Sequence, residues 1–222
     1  MPCLLYCVTK PSQTVNVAAG VCDGAVQSRA MLGVHVYWGE IADPEPCLGT
    51  AESLKKAALQ FHQVLHEILA AATPIPFRFP TLLENEEGME QHLAAEQELY
   101  RDALARLGDA VQYEVVGSWA ADEQTDLATP VSGREYLRRR SQAEERISAI
   151  DSKLKNVTAD SVREWRVRQE RKNHRWFALV PRDSRDRFVT SLRSAGASEG
   201  VRLRLSGPWP PAEFVTPRGE RG

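Results

Sequence analysis

Four cysteines are few for a chain of 222 residues, and no two of them are spaced as CxxC. Cys3, Cys7, Cys22 and Cys47 all fall in the first quarter of the chain, a distribution unlike a disulfide framework or a structural zinc site. The plain expectation is free, buried thiols in a reducing cytoplasm. Long hydrophobic runs are also missing, and without about 18 consecutive apolar residues there is no membrane-spanning helix. Met1-Pro2-Cys3-Leu4-Leu5-Tyr6-Cys7-Val8 lacks a basic region and a small-residue cleavage site, so it reads as a strand and not as an export signal. The chain carries no GxSxG elbow, no Walker A loop, no GxGxxG and no HExxH, so the commonest hydrolytic, nucleotide-binding and zinc-peptidase chemistries have no foothold.

The chain does have an ordinary globular composition, with a net charge of -2, and enough length for one large core or two small ones. Its charge is unevenly spread. Residues 40 to 109 hold 13 acidic and 5 basic side chains, whereas residues 134 to 175 hold 13 basic and 7 acidic ones. The near-neutral total therefore conceals two opposed segments.

Periodicity sets the elements. Leu4 to Thr9 reads as a strand, residues 10 to 30 as a long loop or weak hairpin, and Met31 to Trp38 as a second strand. Residues 39 to 49 read as a loop. Thr50 can cap a helix to about Ala72, with Leu54, Ala58, Phe61, Leu65, Ile68 and Ala72 on its apolar face. Thr73-Pro74 stops that helix, and the prolines of Ile75-Pro76-Phe77-Arg78-Phe79 make an edge or irregular extended piece. Asn85 can cap a helix with Met89, Leu93, Tyr100, Leu104 and Leu107 inward, ended by Gly108. A strand follows over 110–119. Helices on one face of a sheet would bury both stripes, which favours an α+β sandwich. The polar stretch 120–133, with Pro130, marks a boundary or excursion and leads to domains at 1–125 and 126–222. Beyond it, Ala143, Ile147, Ile150, Leu154 and Val157 form a short heptad-like seam. A helical hairpin returning through Val162, Trp165 and Gln169 is expected there. A strand over Trp176–Val180, a helix over Asp183–Ala195 with Phe188 and Leu192 inward, and a terminal strand from Val201 complete the chain.

Candidate chemistry is sparse. His62 and His66 lie four apart on one helical face, a metal-capable spacing with no evident third ligand, and they read more simply as core or interface residues. Glu84, Glu86, Glu87 and Glu90 surround a helix start, where carboxylates complement exposed amides. The basic run 163–172 is interleaved with glutamate and follows no nucleic-acid module, so it reads as a solvated helical face or as a patch for an acidic partner. Arg138-Arg139-Arg140 is surface by the same reasoning. Arg78, between Phe77 and Phe79, either faces outward by alternation or is a buried, paired guanidinium.

The most individual stretch is Leu203-Arg204-Leu205-Ser206-Gly207-Pro208-Trp209-Pro210-Pro211-Ala212-Glu213-Phe214-Val215. Alternating strand ends there in a rigid, apolar turn poor in hydrogen bonds, which needs a packing partner. The expected neighbours are the Trp176–Val180 strand and the Phe188, Leu192 helix face, so that Trp209 closes the C-terminal core with Pro210 to Phe214 at the surface. This stretch resembles the closing signature of the gas vesicle protein family GvpL/GvpF, roughly L-x-L-[TS]-G-P-W-P-P-Y-x-F. Pro74-Ile75-Pro76-Phe77-Arg78-Phe79-Pro80-Thr81 is similar to the family's P-x-R-F-G-T segment, Gly133-Arg134-Glu135-Tyr136-Leu137 to its G-x-x-Y-L helix start, and Leu5-Tyr6-Cys7-Val8 to its opening strand. His62 falls close to a histidine that the family often carries. The matches keep family order over nearly the whole chain. Pro80 stands where the family has Gly, and Ala212 where it has Tyr.

The resemblance implies two α+β domains, the first a modified ferredoxin-like fold and the second carrying a helical hairpin. It implies a cytoplasmic, non-enzymatic accessory protein, associated with the gas vesicle, without cofactor or metal. Its partners would be the main shell protein and other accessory proteins, with neither nucleic acid nor membrane, and its role assembly or nucleation. Arg78, Phe79, Gly207, Pro208, Trp209, Pro210, Pro211 and Phe214 carry the signature, as contacts or as structure. The alternative from the residues alone is a small enzyme or ligand-binding protein using His62, His66 and Arg78, and a nucleic-acid binder through residues 134 to 175 ranks behind it.

Overall fold

A computed structural model describes residues 1–119, 132–169, 174–194 and 201–216. The polar stretch 120–131, the run 170–172 and Gly196 therefore lie outside the described residues, as do the side chains of Arg139, Arg140 and Ala143. The chain divides into two compact units, Met1–Val111 with Trp209–Gly222, and Gln112–Pro208. The C-terminal segment, placed with the second domain by a division at 125, belongs to the first unit.

The first unit is built around β1 (Cys3–Thr9), all seven residues of which are buried. It pairs antiparallel with β3 (Val34–Glu40) on one side and with the short β4 (Ile75–Pro76) and β5 (Leu82–Leu83) on the other. A bulge between Leu5 and Cys7 accommodates Tyr6, whose hydroxyl accepts from the Val21 amide at 2.8 Å. Part of the expected 10–30 loop is a strand, β2 (Val26–Met31), joined to β3 by a two-residue turn in which Leu32 and Gly33 both have positive φ. Paired left-handed residues match the twist of a tight hairpin, which is why a glycine sits there. The sheet order is β2-β3-β1-β4, leaving proline-bearing β4 at the edge as anticipated.

A short helix, α1 (Pro44–Leu48), occupies part of the expected loop, started by the Asp43 side chain on the Glu45 amide. Thr50 caps α2 (Ala51–Ala71) in a reciprocal box with Ser53. Phe61, Leu65 and Ile68 are buried as read, joined by Ala57, Val64 and Leu69, while Leu54 in the first turn is exposed. Asn85 caps α3 (Glu86–Ala95) by accepting from the Gly88 amide. The single helix expected there breaks at Glu96, whose non-helical backbone separates α3 from α4 (Gln97–Leu107). The break leaves the whole stripe buried, Met89 through Leu107. Tyr6, Tyr37 and Phe61 share one core beneath α2. Phe77 instead meets the rings of His92 on α3 and Tyr100 on α4, each at 5.8 Å. Helices thus cover both faces of this sheet, not one, which suits strands buried on both faces.

The second unit continues through β6 (Ala110–Trp119), α5 (Gly133–Val157), β7 (Glu164–Gln169), β8 (His174–Pro181), α6 (Arg185–Ser194) and β9 (Val201–Trp209). Its sheet order is β7-β8-β6-β9. Among the described residues this unit runs β-α-β-β-α-β, with β6 between β8 and β9 in the sheet. The expected helical hairpin is absent among the described residues. After α5 the chain turns at Thr158–Ser161 and returns as β7, antiparallel to β8. Trp165 and Val167 alternate with Glu164, Arg166 and Arg168, and the β-preferring aromatic and branched residues outweigh the helical spacing. Arg166 is accordingly no solvated helical residue. It is 6% exposed and donates to Glu164 at 2.8 Å. Ile150 and Leu154 of α5 and Phe188 and Leu192 of α6 are buried, and Phe188 lies 5.0 Å from Tyr113 and 6.2 Å from Trp165, ring to ring.

One buried group carries a pH consequence. His35 on β3 is buried with neither ring nitrogen hydrogen-bonded, and burial pushes its pKa below the usual value. The folded state thus holds it neutral. The associated stability is complete above the unfolded value of about 6.5 and is lost as pH falls from there through the lower folded value. Urea midpoints should drop between about pH 7.5 and 5. His35→Phe should flatten part of that drop, and an unchanged pH profile in the variant would contradict the assignment.

Candidate partner-binding site

The two signature segments meet successive residues of α2. Phe79 is half-buried, its ring 5.0 Å from that of Phe61. His62, the next residue and exposed, has its ring 5.3 Å from that of Trp209. Successive helical positions point about 100° apart, so Phe61 turns inward to hold Phe79 while His62 turns outward to hold Trp209.

Around Phe79 the backbone is tightly specified. The Phe77 amide donates to the Tyr6 carbonyl at 3.0 Å, the Leu5 amide to the Thr81 carbonyl at 3.0 Å, and the Thr81 hydroxyl to the Arg78 carbonyl at 2.6 Å. The Phe79–Pro80 peptide is cis. Phe77 faces α3 and α4 whereas Phe79, two residues on, faces α2, so the chain leaves strand alternation after Pro76. Arg78 is exposed, which settles the sequence alternatives in favour of the outward reading.

The proline turn is held differently from expectation. Gly207 has φ 124°, and the Gly207–Pro208 peptide is cis. A Cβ at Gly207 would lie 2.9 Å from the Gln112 carbonyl oxygen and 2.9 Å from the Tyr113 ring. Trp209 is only partly buried and rests on His62, so it does not close the C-terminal core. Pro210, Pro211 and Phe214 are buried, Phe214 completely, and are not at the surface as expected. A 3-10 turn over Ala212–Phe214 directs this ring inward, with the Phe214 amide donating to the Pro211 carbonyl at 3.0 Å. Arg106, in the last turn of α4, donates through Nη2 to the carbonyls of Phe214 and Val215, the latter at 2.8 Å. Sequence reasoning passed over Arg106. Its only signal was a basic residue at a helix C-terminus, where such residues are common for electrostatic reasons alone.

His62 and His66 are both exposed on α2. Leu59, three residues before His62, is 64% exposed and extends the same face. No group of three metal-ligating side chains occurs among the described residues. Glu86 and Glu90 ion-pair with Arg29 at 3.5 and 2.9 Å, as a charged helix start does. Cys22 and Cys47 form a disulfide, so the expectation of four free thiols holds only for Cys3 and Cys7, both buried. The topology brings a turn at Val21–Asp23 against α1, a proximity that spacing along the chain does not reveal.

These features define a two-unit α+β protein whose C-terminal proline turn is docked on its N-terminal unit. A model of the family described as "Gas vesicle synthesis protein GvpL/GvpF" matches residues 2–216. The chain belongs to this family, and with it to the accessory proteins of gas vesicle synthesis. It is 25% identical to gas vesicle protein L1 of Halobacterium salinarum, over 97% of this chain and 91% of that protein. It is 27% identical to gas vesicle protein L of a Streptomyces species, over 73% and 70%. In fold it is similar to crystal structures of gas vesicle protein GvpF from an Anabaena species (TM-score 0.74, 16% identity, 100% and 98% covered) and from Microcystis aeruginosa (0.72, 16%, 97% and 99%).

The anchoring of the turn predicts a graded series. Phe214→Ala should cost about 3–5 kcal/mol, as for a fully buried aromatic. Trp209→Ala should cost less, roughly 1–3 kcal/mol, because only part of the ring is withdrawn from water. Arg106→Ala should cost about 1–2 kcal/mol for two charge-assisted bonds near solvent. Urea unfolding of the three variants checks the order, and a Trp209 variant as damaging as the Phe214 one would contradict it. Separately, Gly207→Ala should destabilise by roughly 2–4 kcal/mol from positive φ and the clash with Gln112 and Tyr113, measurable in the same way.

Proposed function

We propose that the protein binds the main gas vesicle shell protein, assists shell assembly or nucleation without catalysing a reaction, and acts in the cytoplasm, where it also meets other accessory proteins. The observation that carries this reading is the outward face of α2. There a leucine that is 64% exposed, Leu59, runs in line with His62 and His66 and continues onto the partly buried Trp209, whose ring lies tilted against that of His62. An exposed apolar residue flanked by an aromatic anchor and amphipathic rings is the composition of an interface centre. Family membership supplies the class of partner. Arg78, exposed and rigidly based, supplies a cation beyond this face.

Co-purification of the intact chain with the shell protein tests the proposal. Wild-type protein should retain the shell protein at ordinary ionic strength. Leu59→Glu should reduce the retention at least tenfold, about 1.4 kcal/mol, with the urea midpoint unchanged because Leu59 is mostly exposed. Absence of binding by wild-type chain at every ionic strength would overturn the reading. Full binding by Leu59→Glu would move the contact away from α2.

A further inference from the structure

The disulfide borders the first turns of α2, next to the face just described, and has its own chemistry. Cys22 and Cys47, with Cα atoms 6.1 Å apart, tie the Val21–Asp23 turn to α1. The two sulfur-bearing residues are unequal: Cys22 is exposed, whereas Cys47 is only 7% exposed. Cys22 and Asp23 both have φ 57°, two successive non-glycine residues in a left-handed conformation that L-residues seldom adopt. Gln60 of α2 braces them, its Oε1 accepting from the Cys22 amide at 3.0 Å and its Nε2 donating to Asp23 at 3.1 Å. Beside the pair is a cavity of about 280 Å³ onto which both cysteines, Asp23, Asp43, Lys56 and Gln60 open. That volume is near the lower end for small-molecule sites, and its walls carry charges of both signs.

We propose that Cys22–Cys47 is a thiol–disulfide exchange site, and that its co-substrate is a low-molecular-mass thiol bearing both ammonium and carboxylate groups. Exposed disulfides on strained backbone are the labile ones, and attack falls on the accessible sulfur. The incoming thiol gives its proton to solvent, and its thiolate forms a bond to Cys22 Sγ. The Cys22–Cys47 bond breaks, and its electron pair leaves on Cys47 as a thiolate that takes a proton from solvent. A second thiolate then attacks the mixed disulfide, releasing the oxidised small-molecule dimer and a reduced Cys22. Two electrons pass from the thiol pair to the protein. Lys56 suits the carboxylate of such a thiol, and Asp23 and Asp43 suit its ammonium. Once the bond is open, hydrogen bonds to Gln60 remain as the turn's polar link to α2. Cys3 and Cys7 do not compete, because burial pushes both thiols up and closes them to solvent.

The full chain, purified without reductant, is incubated with glutathione, quenched in acid, alkylated and mapped by peptide mass. A parallel series uses uncharged 2-mercaptoethanol. The first product should be a mixed disulfide on Cys22 with Cys47 alkylated, while Cys3 and Cys7 label only in denaturant. Lys56→Glu should slow exchange with glutathione roughly two- to fivefold, the range of an exposed ion pair, and leave the 2-mercaptoethanol rate unchanged. Four free thiols in the purified chain, first modification at Cys47, or exchange only on unfolding would overturn the exchange site. An equal effect of Lys56→Glu on both thiols would overturn the cavity's part in choosing the thiol. None of these outcomes depends on shell-protein binding, so the two proposals stand or fall separately.

Discussion

Burial of Phe214, with Arg106 holding the carbonyls of Phe214 and Val215, closes the first unit with residues more than a hundred positions further along the chain. The second unit is in effect an insertion, left at Val111 and rejoined at Trp209. A contact of that separation is entropically expensive if the intervening chain is free, although the cost grows only with the logarithm of loop length. The sheet of the second unit reduces it. Its order sets β6 beside β9, so the strand that leaves the first unit and the strand that returns to it are neighbours. This strand order therefore does more than form a second core, since it returns the chain beside the strand by which it left.

This constraint divides the signature into two kinds of residue. Gly207 and Pro208 set the exit of β9: positive φ and the close approach to Gln112 and Tyr113 permit no side chain. Pro210, Pro211 and Phe214 are buried and fill the first unit. Phe79 does the same from the other segment, through Phe61. What is left toward solvent is Arg78, and Trp209 with its His62 support. The turn is structural where it is buried, and Trp209 is the part of it that the proposed interface uses. Neither a pure cap nor a pure contact describes it.

The parts of this arrangement legible in the sequence are those governed by local rules. Thr50 and Asn85 cap the helices they were expected to cap, because capping is decided within four residues. The buried stripe from Met89 to Leu107 was legible from spacing alone, but the break at Glu96 was not, since glutamate is an ordinary helix former. β7 was misread because Trp165 and Gln169 continue a helical spacing over a stretch short enough to fit either period. The need of the proline turn for a packing partner was legible; its partner was not, because pattern has no means of choosing between two apolar helices. The Cys22–Cys47 bond was hidden for the same reason. The signature itself was readable because a Gly-Pro-Trp-Pro-Pro run is so constrained that few other folds have use for it.

Charge contrast between the segments is the obvious candidate for partner recognition, and several of the charges are ion-paired within the fold. Arg29 pairs with Glu86 and Glu90, Arg138 with Glu135, Lys155 with Asp151, Arg166 with Glu164 and Arg175 with Glu114. The exposed pairs among these contribute little and are screened by salt. The basic run around Arg166, which in sequence offered the nucleic-acid reading, is a strand with that guanidinium buried. Residual charge can orient an approaching partner, whereas holding it requires desolvated apolar contact. In the proposed site the α2 face offers such contact: Leu59 is 64% exposed, and Trp209 is followed by the buried Pro210, Pro211 and Phe214. On the proposed reading, a ring held this way loses little entropy on binding, so the anchoring of the turn and the recognition of a partner would follow from the same constraint.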